Sequence, residues 1–179
     1  MIVISGPSAS GKTEVAKLLQ KKYGITKVIT TTTREMRKGE RNGVDYFFIS
    51  YDEFKTKIEN EDFVEYMEYN GNLYGSTKDQ IGDNKVIVTD LKGLEAYTNL
   101  HNKQIVTFYL HCDEKTRYKR MLSRGDGFKS AQERIKTDKA AFDEGHIPEV
   151  DFNIDNINKP LVEVTREVYN KYYKKLAKK

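Results

Sequence analysis

The sequence predicts an α/β fold: a mostly parallel central sheet with helices on both faces. Two patterns carry the prediction. Apolar runs rich in β-branched and aromatic residues recur at 1–5, 27–30, 46–49, 63–69, 85–89 and 104–111, and read as strands. Helical stripes lie between and after them: Val15, Leu18 and Leu19 share a face after Lys12, and Leu161, Val164, Val168 and Tyr172 share another near the C-terminus. Strands that alternate with helices imply crossover connections, hence parallel pairing with ligand sites at the carboxyl ends of the strands.

In chain order, the strand at 1–5 runs into a glycine-bounded loop and then the first helix. From Arg34 to Ser76 the alternation breaks and strands come closer together, which reads as an inserted antiparallel subdomain. Asn70-Gly71 is its hairpin turn, because both residues tolerate positive φ. Ser50 with Glu53, and Ser130 with Glu133, fit the capping box, so helices are expected to start at both points. Arg124-Gly125-Asp126-Gly127 interrupts two charged helices and suggests a mobile excursion. There is no internal repeat and no low-complexity linker.

The chain has 179 residues, with 31 Lys+Arg against 27 Asp+Glu for a formal charge of +4. That describes one soluble globular domain. A single cysteine, Cys112, excludes an internal disulfide framework and a cysteine-rich zinc site. The N-terminus MIVISGPSAS lacks a signal-peptide pattern, and nowhere do apolar residues run long enough to span a bilayer, so the expected location is the cytoplasm, with no membrane contact. Lys171, Lys174, Lys175, Lys178 and Lys179 supply the basic surplus; without them the balance is 26 against 27. They read as a solvated helix end that complements the helix dipole, which leaves no case for nucleic-acid binding.

Gly6-Pro7-Ser8-Ala9-Ser10-Gly11-Lys12-Thr13 fits G-x-x-x-x-G-K-[ST], directly after an apolar strand and before an amphipathic helix. The glycines let backbone amides turn inward around phosphate oxygens, Lys12 supplies a mobile cation, and Thr13 is placed to ligate magnesium at the helix start. The fold class thereby sharpens to a sheet of the P-loop NTPase type. Small-molecule kinases, GTPases and motor ATPases share this loop. The N-K-x-D motif that reads guanine in GTPases is absent, and a domain of this size with an insertion suits transfer to a second small substrate.

The stretch from Thr30 to Glu40, with Arg34 and Arg37 three apart, followed by Gly43-Val44-Asp45-Tyr46-Phe47-Phe48, resembles guanylate kinases. Phe63-Val64-Glu65-Tyr66 and Gly71-Asn72-Leu73-Tyr74-Gly75-Ser76 are similar to two further motifs of that family, in order and at the right spacing. The similarity runs from Ile2 to about Asn156. It implies a core of 1–33, 77–119 and 145–179, a GMP-binding insertion at 34–76 and a helical lid at about 120–144. It further implies that Arg34, Arg37, Tyr46 and Tyr74 hold the GMP phosphate and that Thr30, Glu65 and Ser76 contact guanine. A carboxylate can accept from both N1–H and the 2-amino group of guanine, whereas adenine offers no such pair of donors. Arg120, Arg124 and Arg134 match lid arginines that meet the donor phosphates, and Asn156 matches an asparagine beside the adenine of ATP; Arg117 has no assignment.

The implied reaction is phosphorylation of GMP, and of dGMP, with ATP as co-substrate and Mg2+ as cofactor, Lys12, Arg37 and the lid arginines being catalytic. One position departs from the pattern. The family carries two acids one residue apart before a glycine, but Val88-Thr89-Asp90 keeps the second alone. Asp90 is thus a candidate magnesium ligand through water, or simply a helix cap. Val88 leaves open a relative acting on another phosphorylated acceptor, and a catalytically silent binding module is the third reading. His101, His111, His146 and Cys112 share no motif spacing, and no metal or nucleophile role is assigned to them. The sequence does not specify an oligomeric state.

Overall fold

A computed structural model describes residues 1–142 and 147–178. His146, Lys179 and the junction between the expected lid and the final core segment lie outside the described residues. Within them, five parallel strands form the main sheet: β1 (Ile2–Ser5), β2 (Thr26–Lys27), β7 (Lys85–Val88), β8 (Val106–His111) and β9 (Phe152–Asp155), in the spatial order β2-β7-β1-β8-β9. The phosphate loop leaves the carboxyl end of the central strand β1 and enters α1 (Lys12–Tyr23).

The continuous apolar run of β1 follows from its place in the middle of the sheet, where both faces are covered. Ile2 and Ile4 face one layer with Val15 and Leu19 of α1 and Val164, Val168 and Tyr172 of α6 (Leu161–Leu176). Met1 and Val3 face the other, with Leu94 and Tyr97 of α3 (Leu91–Asn99). Alternate side chains of one strand thus fill two cores. Among the described residues, no helix is long and apolar enough to cross a membrane.

The inserted region forms a second sheet of β3 (Thr31–Thr32), β4 (Phe47–Phe48), β5 (Phe63–Tyr69) and β6 (Asn72–Thr77), in the order β4-β3-β6-β5. Pairs β3·β6 and β5·β6 are antiparallel, whereas β3·β4 is parallel. Asn70 and Gly71 have φ of 50° and 72°, as a tight hairpin of this hand requires. Helix α2 (Tyr51–Glu59) starts at the predicted capping box: Glu53 N–H donates to Ser50 Oγ, and Ser50 N–H donates to Glu53 Oε2 at 2.8 Å.

Three expectations need correction. The run 27–30 is not one strand: Lys27 ends β2 in the main sheet and Thr31 opens β3 in the small one, so the chain crosses between sheets there. Ser130 does not start a helix. After α4 (Glu114–Ser123), α5 (Phe128–Ala141) begins two residues before Ser130, with Gly127 at its cap and no side-chain cap bond. The lysine tail is only partly solvated, since Lys171 pairs with Glu167 and Lys175 with Asp151. The predicted break at 124–127 does separate α4 from α5, with Gly125 at φ 93°.

Candidate active site

The glycines of the phosphate loop are required by geometry. Gly6 has φ 147°, and a Cβ there would lie 2.5 Å from the carbonyl oxygen of Leu110. Gly11 has φ 99°, and its Cβ would fall 2.4 Å from Asn156 Nδ2. Backbone that L-residues rarely adopt is thereby locked between β8 and the segment after β9. Gly11 caps α1 without a side chain, which leaves first-turn amides open toward the loop. Lys12 Nζ folds back onto the loop and donates to Gly6 O at 2.6 Å and Pro7 O at 2.9 Å. Burial pulls its pKa down to about 8, opposed by Asp138 and reinforced by Arg117 and Arg134.

A cavity of about 440 Å³ opens on one side of the loop, lined by Gly6, Ser8 and Lys12 from the loop and by Thr30, Glu65, Tyr74, Val88 and Asp90. It is the space between the two sheets, and it faces the carboxyl end of β1. Glu65 projects from β5 and accepts from Ser76 Oγ at 2.6 Å; Ser76 Oγ in turn accepts from Tyr97 OH at 3.0 Å. Burial pushes the Glu65 carboxyl above the usual range against the Ser76 hydrogen bond, and Asp90 adds to the rise. Tyr97 anchors this chain from the core, and burial raises its hydroxyl pKa as well. Sequence reasoning missed Tyr97, since a tyrosine on an apolar helix face carries no signal beyond packing.

The threonines before Arg34 fix where that arginine emerges. Thr32 Oγ1 donates to Leu73 O at 2.9 Å and accepts from Arg34 N–H at 3.1 Å, while Thr33 Oγ1 accepts from Leu73 N–H at 2.9 Å. Arg34 then lies over Tyr46, 5.4 Å from the ring centroid, and pairs with Glu40 at 2.7 Å. Tyr46 meets Tyr74 edge-on at 6.1 Å. Arg34, Tyr46 and Tyr74 therefore form one cluster, which reaches the cavity through Tyr74. Arg37 is exposed, and its backbone amide donates to Glu40 Oε2 at 2.8 Å, so Glu40 links its turn to Arg34.

A second cavity of about 400 Å³ lies on the other side of the loop, lined by Ala9, Gly11, Lys12, Thr13, Arg120 and Arg124. Arg120 is half-buried and donates to Ala9 O at 3.3 Å, Ser10 O at 3.5 Å and Asn156 O at 3.1 Å. Arg124 and Arg134 are both held by Asp126, at 2.6 and 3.2 Å. Asn156 is 0% exposed and its Nδ2 donates to Ser10 O at 2.7 Å. The resemblance puts it beside adenine; here its amide supports the loop from beneath. Ser10 is likewise fully buried.

Asp90 caps α3, accepting from Gly93 N–H at 2.9 Å, and also lines the larger cavity. Asp138 and Arg117, neither assigned from sequence, are buried against Ser8. Asp138 lies one turn after Arg134 on the same helix, a spacing that puts both on the loop-facing side but does not by itself distinguish them in a lysine-rich segment. His111 pairs with Asp155 at the surface, and Cys112 is buried beneath Arg120. Among the described residues no group of three or more His, Cys, Asp or Glu gathers at one point.

The sequence matches the family profile described as guanylate kinase over residues 1–168. It is 36% identical over 143 residues to a guanylate kinase of Fusobacterium nucleatum, covering 76% of this chain and 77% of that one. It is 32% identical over 163 residues to a guanylate kinase of Chlorobaculum tepidum, covering 87% and 84%. The crystal structure of guanylate kinase from Anaplasma phagocytophilum shares its fold, with a TM-score of 0.59 and 24% identity over 97% of this chain and 84% of that one. With a phosphate loop facing a carboxylate-bearing cavity and a profile match that spans most of its length, the chain belongs to the guanylate kinase family.

Proposed function

We propose that the protein transfers the γ-phosphoryl group of ATP to GMP, and to dGMP, giving ADP and GDP. One observation carries the reading: Lys12 and Ser8 of the phosphate loop line the same cavity as Thr30, Glu65 and Tyr74. A donor phosphate on the loop and an acceptor held by the small sheet would meet in that space. Glu65, fixed by Ser76 and Tyr97, selects guanine by accepting from its adjacent donors. Arg34, Tyr46 and Tyr74 receive the acceptor phosphate, and Arg37, exposed beside them, joins when the acceptor is bound.

The acceptor phosphate is already ionised at neutral pH, so no general base is needed. Its oxygen forms a bond to the γ-phosphorus while the bond to the bridging oxygen of ADP breaks, in line. The loop amides and Lys12 bind and orient the donor. Arg120, Arg124 and Arg134, carried by the helices of the 120–144 lid, neutralise the charge that spreads over the transferred oxygens, and closure of the lid excludes water.

The oxygen donors present suit a hard divalent cation held mainly by phosphates: the Thr13 hydroxyl is exposed at the start of α1, and the Asp90 carboxylate lines the cavity. Thr13, and Asp90 through water, are the residues that would hold Mg2+, which when bound offsets negative charge on the donor phosphates. Val88 lines the cavity together with Glu65 and Asp90, and its own contact with an acceptor would be apolar. The direct test is to incubate the protein with magnesium-ATP and GMP and separate the nucleotides. GDP formed in step with ADP supports the proposal; ADP without GDP, or neither, rejects it.

A further inference from the structure

Ser8, the third residue of the phosphate loop, is held at each of its polar groups. Its amide donates to Asp138 Oδ2 at 2.8 Å and its hydroxyl to Asp138 Oδ1 at 3.2 Å, while its carbonyl accepts from Arg117 Nη1 at 3.4 Å. Arg117 closes the circuit, with Nη1 2.7 Å from Asp138 Oδ2 and Nε donating to Cys112 O at 3.2 Å. The two side chains are 5% and 12% exposed and come from α4 and α5, the helices on either side of the 124–127 break. Buried ion pairs rarely stabilise a fold more than apolar residues of the same volume would. What this pair adds is a fixed place for Ser8 in the wall of the cavity that Lys12, Glu65 and Tyr74 also line.

We propose that Asp138, with Arg117 behind it, is a positioning residue for phosphoryl transfer: by clamping Ser8 the pair sets the loop wall against which the transferred group lies and ties that wall to the lid helices. The inference rests on the kinase reading above.

Wild type, Asp138→Asn and the double variant Arg117→Met with Asp138→Leu are assayed with magnesium-ATP and GMP, each substrate varied in turn, with thermal unfolding alongside. The double variant removes the clamp without orphaning a buried charge. It is expected to unfold at or above the wild-type temperature yet show kcat about tenfold to a hundredfold lower, the scale of a small misplacement of reacting groups. Asp138→Asn keeps an oxygen for the Ser8 amide but gives up the charge that holds Arg117, and is expected to lower kcat with the KM for ATP near wild type. A folded double variant with wild-type kcat overturns the proposal. Failure of both variants to fold assigns the pair a structural role and overturns it equally. Silence of the wild-type protein rejects the kinase reading itself, whereas active wild type matched by both variants rejects the clamp alone.

Discussion

Glu65→Gln isolates base selection from the rest of the site. The change keeps the side-chain shape and leaves an oxygen that can still accept from Ser76 Oγ, now at 2.6 Å from the carboxylate. It removes the charge and turns an amide NH2 toward whatever the carboxylate faced. A guanine bound there loses a charge-assisted hydrogen bond, worth about 1.5 to 3 kcal/mol. At 1.36 kcal/mol per factor of ten, the KM for GMP rises about 10- to 150-fold. The second cavity beside the loop, with the proposed donor-side residues Thr13, Arg120 and Arg124, is not lined by Glu65, so the KM for ATP is expected to stay near wild type. The fold is not weakened: burial raises the Glu65 pKa, so the folded protein holds that proton more tightly than the unfolded chain, and the ionised form opposes stability at neutral pH. The thermal midpoint of the variant should therefore equal or exceed that of wild type. The assay is steady-state turnover with each substrate varied in turn, plus a melting curve. Equal rises in both KM values, or an unchanged KM for GMP, would refute the placement of guanine against Glu65.

Three further outcomes follow from the same geometry. Lys12→Ala should lower kcat by about a hundredfold or more while leaving the melting curve close to wild type, and an unchanged kcat would remove the loop lysine from the reaction. The free-enzyme profile, kcat/KM for ATP against pH, should fall above about pH 8, because the Lys12 charge is present below that value and lost above it; a profile flat through pH 10 contradicts that assignment. Gly11→Ala should destabilise the protein by at least about 1 to 3 kcal/mol, since φ of 99° and a Cβ 2.4 Å from Asn156 Nδ2 leave alanine no unstrained place. Chemical denaturation measures that loss, and a stable variant would mean the loop relaxes freely.

What was legible in the sequence is what local signals specify. The phosphate loop carries its own glycines and sits between an apolar strand and an amphipathic helix, so β1, the loop and α1 could be placed before any tertiary information. The capping box at Ser50 and Glu53 and the Asn70-Gly71 turn are equally local, and both occur as read. Contact between sheets is not local. Lys27 and Thr31 are four positions apart yet belong to different sheets, a division made by pairing partners and not by the residues themselves. Strand β9, with Asn153 and Asp155 in four residues, reads poorly as a strand and exists because β8 offers it an edge.

The site divides in the same way. Glu65, Tyr74 and the loop residues Gly6, Ser8 and Lys12 came from motifs and line one cavity, with Ser76 buried behind Glu65. Tyr97, Arg117 and Asp138 could not be found in that way, because each acts through a partner distant in sequence: Ser76 for the tyrosine, Ser8 for the ion pair. The displacement of Ser130 from the helix start has a local reason that pattern matching overlooks. Gly127 already supplies an extended cap three positions earlier than the serine, and α5 simply runs through it.

The central claim is that this protein phosphorylates guanine nucleoside monophosphates, and acceptor choice tests it most directly. ADP release from magnesium-ATP is followed with GMP, dGMP, AMP, CMP and UMP in separate reactions, each raised to millimolar concentration. Rapid turnover with GMP and dGMP alone is the predicted result, and it would show that Val88 is tolerated in the acceptor wall. Silence with all five acceptors in a protein shown to bind ATP, or equal turnover with AMP, would contradict the account.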